Sequence, residues 1–298
     1  MIDSRCGLLC SSCDFKVPCD CGGCIETMGK PFHGECPIAM CCQAKGHRHC
    51  GECDELPCDQ LYAYSYLDPD HGDKPPGARI AKCREWAAES GIRRWENVLL
   101  TSAGFFDADG NPRRALIERF AAMLGKPFGK ARVLFVPTAS MMPGHEDAAY
   151  ADLCKTDLLM LGILHENIVS HDADGSLAEG EASRFDAMFF TGGNTPYLAK
   201  RVRETGFAGV IKRFVYSNKA YVGVSAGSML AMADFNVDGL PSDDPMGFAG
   251  LCLINARFSV HCDPDAPPRE SSPYPHIALT DDQAIVASWS GCEVIGGR

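Results

Sequence analysis

Cysteine is spread along this chain so unevenly that it divides the possible fold in two. Of 17 cysteines, those at Cys6, Cys10, Cys13, Cys19, Cys21, Cys24, Cys36, Cys41, Cys42, Cys50, Cys53, Cys58 and Cys83 crowd the first third, and only Cys154, Cys252, Cys262 and Cys292 lie beyond it. Residues 1 to about 60 are also rich in glycine and proline and carry little sustained periodicity. Such a segment cannot bury much apolar surface alone and needs staples. The start, Met1-Ile2-Asp3-Ser4-Arg5-Cys6, has no basic segment followed by an apolar core, so no secretory leader is expected and the default compartment is cytoplasmic. In a reducing compartment a dense cysteine cluster more often binds metal than forms disulfides.

The spacing within the cluster supports that expectation. Cys10-x-x-Cys13, Cys21-x-x-Cys24 and Cys50-x-x-Cys53 are three CxxC knuckles, and Cys58 follows the last of them. A CxxC turn can point two thiolates at one ion, and two such pairs complete a tetrahedral shell. Together with Cys36 and Cys41, these seven residues make a candidate ligand set sufficient for two structural zinc ions, with Cys42 in reserve. All-thiolate ligation suits an iron–sulfur cluster as well, which is the competing expectation. His33, His47 and His49 fall in the same region and read as further ligands or surface groups.

From about Asn97 the texture changes to apolar strands alternating with helical runs. Strands are expected near 97–101, 132–137, 167–170, 185–191, 220–224, 277–279, 284–288 and 292–295. Helices are expected near 113–124, 147–161, 196–204, 209–217 and 226–233. That alternation predicts an α/β fold of three layers, a mostly parallel sheet covered on both faces. The organisation expected is a cysteine-rich metal-binding module over residues 1–90 and an α/β domain over 96–298. With 46% hydrophobic and 22% charged residues in 298, the composition is that of an ordinary globular chain. A formal net charge of −11 argues against nucleic acid or an anionic membrane as partner. No apolar run approaches the length of a membrane span.

The chemistry of the second region centres on Gly223-Val224-Ser225-Ala226-Gly227. A GxSxG motif between a buried strand and a helix is a nucleophile elbow, whose glycines permit the sharp turn that lifts a serine hydroxyl clear of the sheet. A serine needs a base, and the base needs an acid to fix its tautomer. His261, which ends the strand-like Ala256-Arg257-Phe258-Ser259-Val260, is the first choice of base, and His276 is its rival. Asp238, in a turn-forming Asp-Gly-Leu-Pro stretch, is the first choice of acid, with Asp243 and Asp244 left open. An acyl-transfer site also needs donors for an oxyanion. The amide of Ala226 supplies one, and the loop Gly192-Gly193-Asn194-Thr195 could supply another. No GK[ST] follows that loop, so a phosphate cradle is disfavoured. An esterase would carry an HGGG-type oxyanion loop, which is missing here.

These motifs in sequence, Thr191-Gly192-Gly193-Asn194-Thr195, then Tyr221 to Ser228, then Asp238-Gly239-Leu240-Pro241, then Asp244-Pro245-Met246-Gly247-Phe248 and a histidine after an apolar strand, resemble the aspartyl dipeptidase (peptidase E) family of serine peptidases over about residues 96–298. The resemblance implies a fold like the class I glutamine amidotransferases and cleavage of short peptides that begin with aspartate. By position it makes Ser225 the nucleophile, His261 the base, and Gly193 and Ala226 the oxyanion donors. The family's carboxylate, in an Asn-Asp-Met-Pro-like segment, is displaced by one position in Asp238-Gly239-Leu240-Pro241. Catalysis of this kind needs no cofactor, and the expected partner is a small peptide substrate, with a homodimer left open. Cys6-Gly7-Leu8-Leu9-Cys10 and Cys50 to Cys58 are similar to a small cysteine-rich bacterial domain family taken to bind zinc, which implies no reaction. The alternative expectation is an inactive peptidase-like scaffold in a metal-binding sensor or adaptor.

Overall fold

The computed structural model describes residues 2–92, 95–174, 176–177, 179–236, 246–254, 256–263, 276–289 and 291–297. Two compact units emerge, Met1–Arg93 and Arg94–Arg298.

The first unit is assembled from short helices, α1 (Gly23–Glu26), α2 (Pro37–Ala44), α3 (Asp59–Tyr62) and α4 (Ala78–Glu89). Helices of this length do not persist on propensity and depend on what they bury. The buried set includes Leu56, Leu61, Ile80 and Trp86 together with Cys42 and Cys83, so some of the cysteines serve as small apolar core residues. The polar stretch before α4 is less exposed than its composition suggests. Asp73 Oδ1 lies 2.7 Å from Arg79 Nε, and Asp73 Oδ2 accepts hydrogen bonds from the Arg79 amide at 2.8 Å and from the Ser65 hydroxyl.

The second unit runs β1 (Val98–Thr101), α5 (Arg114–Leu124), β2 (Val133–Val136), α6 (Ala148–Met160), β3 (Ile168–Ser170), α7 (Glu179–Ala182), β4 (Ala187–Phe190), α8 (Thr195–Glu204), α9 (Phe207–Tyr216), β5 (Ala220–Val224), α10 (Ala226–Met229), β6 (Arg257–Ser259), β7 (His276–Ala278), β8 (Gln283–Ser288) and β9 (Gly291–Gly296). One seven-stranded sheet has the order β3-β2-β4-β5-β1-β8-β9. Its first five strands are mutually parallel, and β8 and β9 close it in antiparallel fashion. Every residue of β1, β2, β4 and β5 is buried, which explains why these segments read as continuous apolar runs instead of alternating ones. Leu99, Phe135, Phe189 and Val222 join Leu116 and Phe120 of α5 and Leu158 of α6 in one core. The alternate strand residues, among them Leu100, Leu134, Phe190 and Tyr221, are buried as well and face the opposite way. On that account both faces of the sheet are covered, and the three-layer α/β expectation holds.

One expectation is revised. The helix after the elbow ends at Met229, because the chain turns at Leu230 and its amides at Ala231 and Met232 bond in tight turns to Ser228 and Met229. His261 follows β6, which pairs with β7 in a separate two-stranded parallel sheet. The parallel strands share one carboxyl end, where β1, β4 and β5 deliver their following loops. The antiparallel register Thr101↔Ala284 brings the turn before β8 to that same end. Among the described residues no helix is long and apolar enough to cross a membrane.

Candidate active site

Ser225 occupies a backbone conformation that few side-chain-bearing residues adopt, φ 48° and ψ −107°. Such a conformation costs on the order of 1–3 kcal/mol and persists only where its surroundings over-determine it. Here they do. The Ser225 amide donates to the Thr101 carbonyl at 3.1 Å, and its own carbonyl accepts from the amides of Ser228 and Met229, both at 2.9 Å. The Tyr221 hydroxyl donates to the Gly227 carbonyl at 2.6 Å, tying the strand to the first turn of α10. The flanking glycines are dictated by contact. A Cβ on Gly223 would come within 2.5 Å of the Gly227 backbone, and one on Gly227 within 2.5 Å of the Phe190 carbonyl oxygen.

The structure brings a base to that serine. His261 Nε2 lies 2.9 Å from Ser225 Oγ, and on the far side of the ring Nδ1 lies 2.6 Å from Asp281 Oδ1. With the carboxylate accepting from Nδ1–H, the lone pair of Nε2 faces the serine hydroxyl, the tautomer that proton abstraction requires. The rival base His276 is engaged elsewhere, with Nε2 2.9 Å from Ser259 Oγ. Asp238, Asp243 and Asp244, the carboxylates expected between serine and histidine, lie outside the described residues. The carboxylate beside His261 is instead Asp281, which no sequence motif singled out. It sits in the turn just ahead of β8, downstream of the histidine, and its one local signal is a polar Thr280-Asp281-Asp282 break before an apolar strand.

The loop after β4 forms the other wall. Gly193 has φ 129°, and a Cβ there would meet the Ala139 carbonyl oxygen at 2.3 Å. Ser140 Oγ donates to the Gly192 carbonyl at 2.8 Å, and the Asn194 amide donates to the Ala139 carbonyl at 2.8 Å. The Asn194 side chain then caps α8 by accepting from the Tyr197 amide at 2.8 Å. Among the described residues no acceptor takes the amide hydrogen of Gly193 or of Ala226, which leaves both free for a ligand oxygen. Gly192 itself is wedged in place. A Cβ on it would lie 2.5 Å from the Tyr150 hydroxyl and 3.1 Å from Ser225 Cβ. Burial pushes the Tyr150 phenol well above its ordinary range and the Cys154 thiol up to about 11, so this wall is uncharged at neutral pH.

None of the 17 cysteines is paired in a disulfide. Cys24 Sγ accepts from the Arg5 amide at 3.2 Å, Cys21 Sγ accepts from the Gly23 amide at 3.4 Å, and Lys45 Nζ donates to Cys53 Sγ at 3.7 Å. Burial pushes the Cys10 thiol up to about 12. Among the described residues no three His, Cys, Asp or Glu side chains are arranged to hold a metal ion. The mechanism proposed below runs through no metal.

Comparison with known proteins sorts the two units separately. The description Protein of unknown function (DUF3795) matches residues 2–63. The chain is 31% identical over 129 residues to Peptidase E of Shewanella amazonensis, a match covering 43% of this chain and 52% of that protein. It is 27% identical over 99 residues to Uncharacterized peptidase PM1590 of Pasteurella multocida, covering 33% of this chain and 47% of the relative. The chain thus spans about half the length of the curated relatives it matches. Its fold is similar to the crystal structure of a peptidase from an acI-B1 Actinobacterium, with a TM-score of 0.51 at 17% identity over 69% of this chain and 89% of that one. The description Peptidase family S51 matches residues 98–292, well over half of the sequence and the whole stretch that carries Gly193, Ser225, His261 and Asp281. On that match the chain belongs to peptidase family S51.

Proposed function

We propose that the second unit is a serine peptidase that hydrolyses short peptides, dipeptides with N-terminal aspartate foremost, by acyl transfer through Ser225. What carries the reading is the unbroken line Ser225 Oγ–His261 Nε2 at 2.9 Å and His261 Nδ1–Asp281 Oδ1 at 2.6 Å. His261 takes the proton of Ser225 as the oxygen attacks the peptide carbonyl carbon, and Asp281 steadies the imidazolium that forms. The negative charge that develops on the carbonyl oxygen is met by the Gly193 and Ala226 amides, donors for which no acceptor competes among the described residues. His261 then hands its proton to the leaving amine, and the C–N bond breaks. A water, deprotonated by the same imidazole, releases the acyl group and restores Ser225.

The preference for a leading aspartate rests on the sequence resemblance to peptidase E and on the name of the Shewanella relative. The experiment has two arms. A fluorophosphonate probe is expected to label the wild-type chain at Ser225, and a dipeptide screen is expected to favour Asp-leading substrates. Ser225→Ala should abolish labelling and lower turnover by at least about four orders of magnitude with the fold unchanged. A wild-type chain that neither labels nor cleaves any dipeptide would replace this reading with that of an inactive scaffold.

A further inference from the structure

We propose that Ser102 is a positioning residue that holds the acid and the base of this site in register through a single buried oxygen. The proposal rests on the acyl-transfer reading above and adds to it a residue on which that reading does not depend.

Ser102 follows the last residue of β1 and is fully buried. Its amide donates to the Gln283 carbonyl at 3.2 Å, which fixes its backbone between β1 and β8. Its hydroxyl is used twice. The His261 amide donates to Ser102 Oγ at 2.8 Å, and Ser102 Oγ lies 3.0 Å from Asp281 Oδ1. The direction of the two bonds follows from valence alone. An amide N–H can only donate, so Ser102 Oγ is the acceptor there, and its one hydrogen is left to go to the carboxylate.

The two residues it joins both need holding. His261 has φ 55°, a left-handed conformation unusual for a residue with a side chain. Asp281 is about half exposed, and among the described residues its side chain meets only His261 and Ser102. An exposed imidazole–carboxylate pair is weak and free to rotate in water. Ser102 converts that pair into a fixed one: two donors converge on the same Oδ1 and set the carboxylate rotamer, while the histidine backbone is pinned to the same point. The anchor directly follows a strand of the central sheet and is bonded to β8, and a positioning group serves best on such a regular element.

The test uses the full chain with Ser102→Ala, Asp281→Ala and the double variant, read by the saturation kinetics of fluorophosphonate labelling and by kcat and KM on an Asp-leading dipeptide. Ser102→Ala should lower the limiting labelling rate and kcat about 10- to 100-fold, while the half-saturating probe concentration and KM stay within about twofold, because a buried hydroxyl behind the acid does not touch the ligand. Placed on Asp281→Ala, the same substitution should cost several-fold less than it does in the wild type, since the carboxylate it orients is gone and only the pin on the His261 backbone remains to be lost. A merely structural serine would instead shift both parameters or cost the same factor in either background. Any of those results, or a Ser102→Ala chain with kcat within twofold of wild type, overturns the proposal while leaving the Ser225 reading intact. A wild-type chain that does not label overturns both.

Discussion

His261 and Asp281 meet through Nδ1 and Oδ1 at 2.6 Å although 20 residues separate them, and between them the chain passes through β7. The carboxylate beside the base therefore comes from beyond the histidine, from the turn that opens β8. If this pair orients the base, Asp281→Asn should lower kcat/KM about 10²- to 10⁴-fold, because an amide can donate to Nδ1 and stabilise the wrong tautomer. Asp238→Asn, in the stretch first expected to supply the acid, should leave kcat/KM within about threefold. Steady-state kinetics on both variants decides the matter, and the reverse ranking would return the role to Asp238.

The two histidines downstream of the elbow part in the same way. His276 Nε2 lies 2.9 Å from Ser259 Oγ, so its ring serves the β6–β7 sheet. His276→Ala should preserve fluorophosphonate labelling within about threefold, whereas His261→Ala should reduce it by three or more orders of magnitude. Comparable losses in the two variants would show that the 2.9 Å contact of His261 with Ser225 does not activate the serine.

Much of this arrangement was legible before any coordinates. The buried parallel strands announce themselves as apolar runs such as Val133-Leu134-Phe135-Val136, and Gly223 and Gly227 mark an elbow because no Cβ fits at either place. His261 could be chosen because it closes a strand-like segment. Asp281 could not, because what brings it to the site is the antiparallel pairing of β1 with β8, a contact between residues nearly 200 apart that leaves no local periodicity. The cysteines meet a similar limit: CxxC is a local pattern, while a tetrahedral shell depends on how separate turns converge, and burial of Cys42 and Cys83 in the first unit is likewise set by packing that spacing does not show.

Gly192 offers a test of how tightly the loop after β4 is packed against Ser225. A methyl group at this position would lie 2.5 Å from the Tyr150 hydroxyl and 3.1 Å from Ser225 Cβ. Overpacking of this kind typically costs about 1–3 kcal/mol and moves backbone by tenths of an ångström. Gly192→Ala should thus depress kcat by at least about tenfold, since small displacements of a preorganised donor are expensive for catalysis. Removing the obstructing oxygen with Tyr150→Phe should recover part of that loss in the double variant. If the two substitutions simply add, the tyrosine and Gly192 are not in the contact described.

Stability should respond to acid through Asp186, which ties the entry of β4 to its neighbours. Burial alone would raise this carboxyl, but Lys126 Nζ at 2.7 Å, the Arg132 amide at 2.9 Å and the more distant Lys219 outweigh it and hold the group below the usual aspartate value of 3.8. A carboxyl whose folded-state value is depressed favours the folded state in its ionised form. That contribution is complete above the unfolded value and is lost as pH falls through the folded one. Wild type should therefore exceed Asp186→Asn in resistance to urea by a constant margin from about pH 7 down to about pH 5. Below about pH 4 the margin should shrink toward zero as wild-type Asp186 takes up its proton. Urea midpoints collected at half-unit intervals would follow this directly, and a margin that widens on acidification would mean that burial, not the lysine pair, dominates at Asp186.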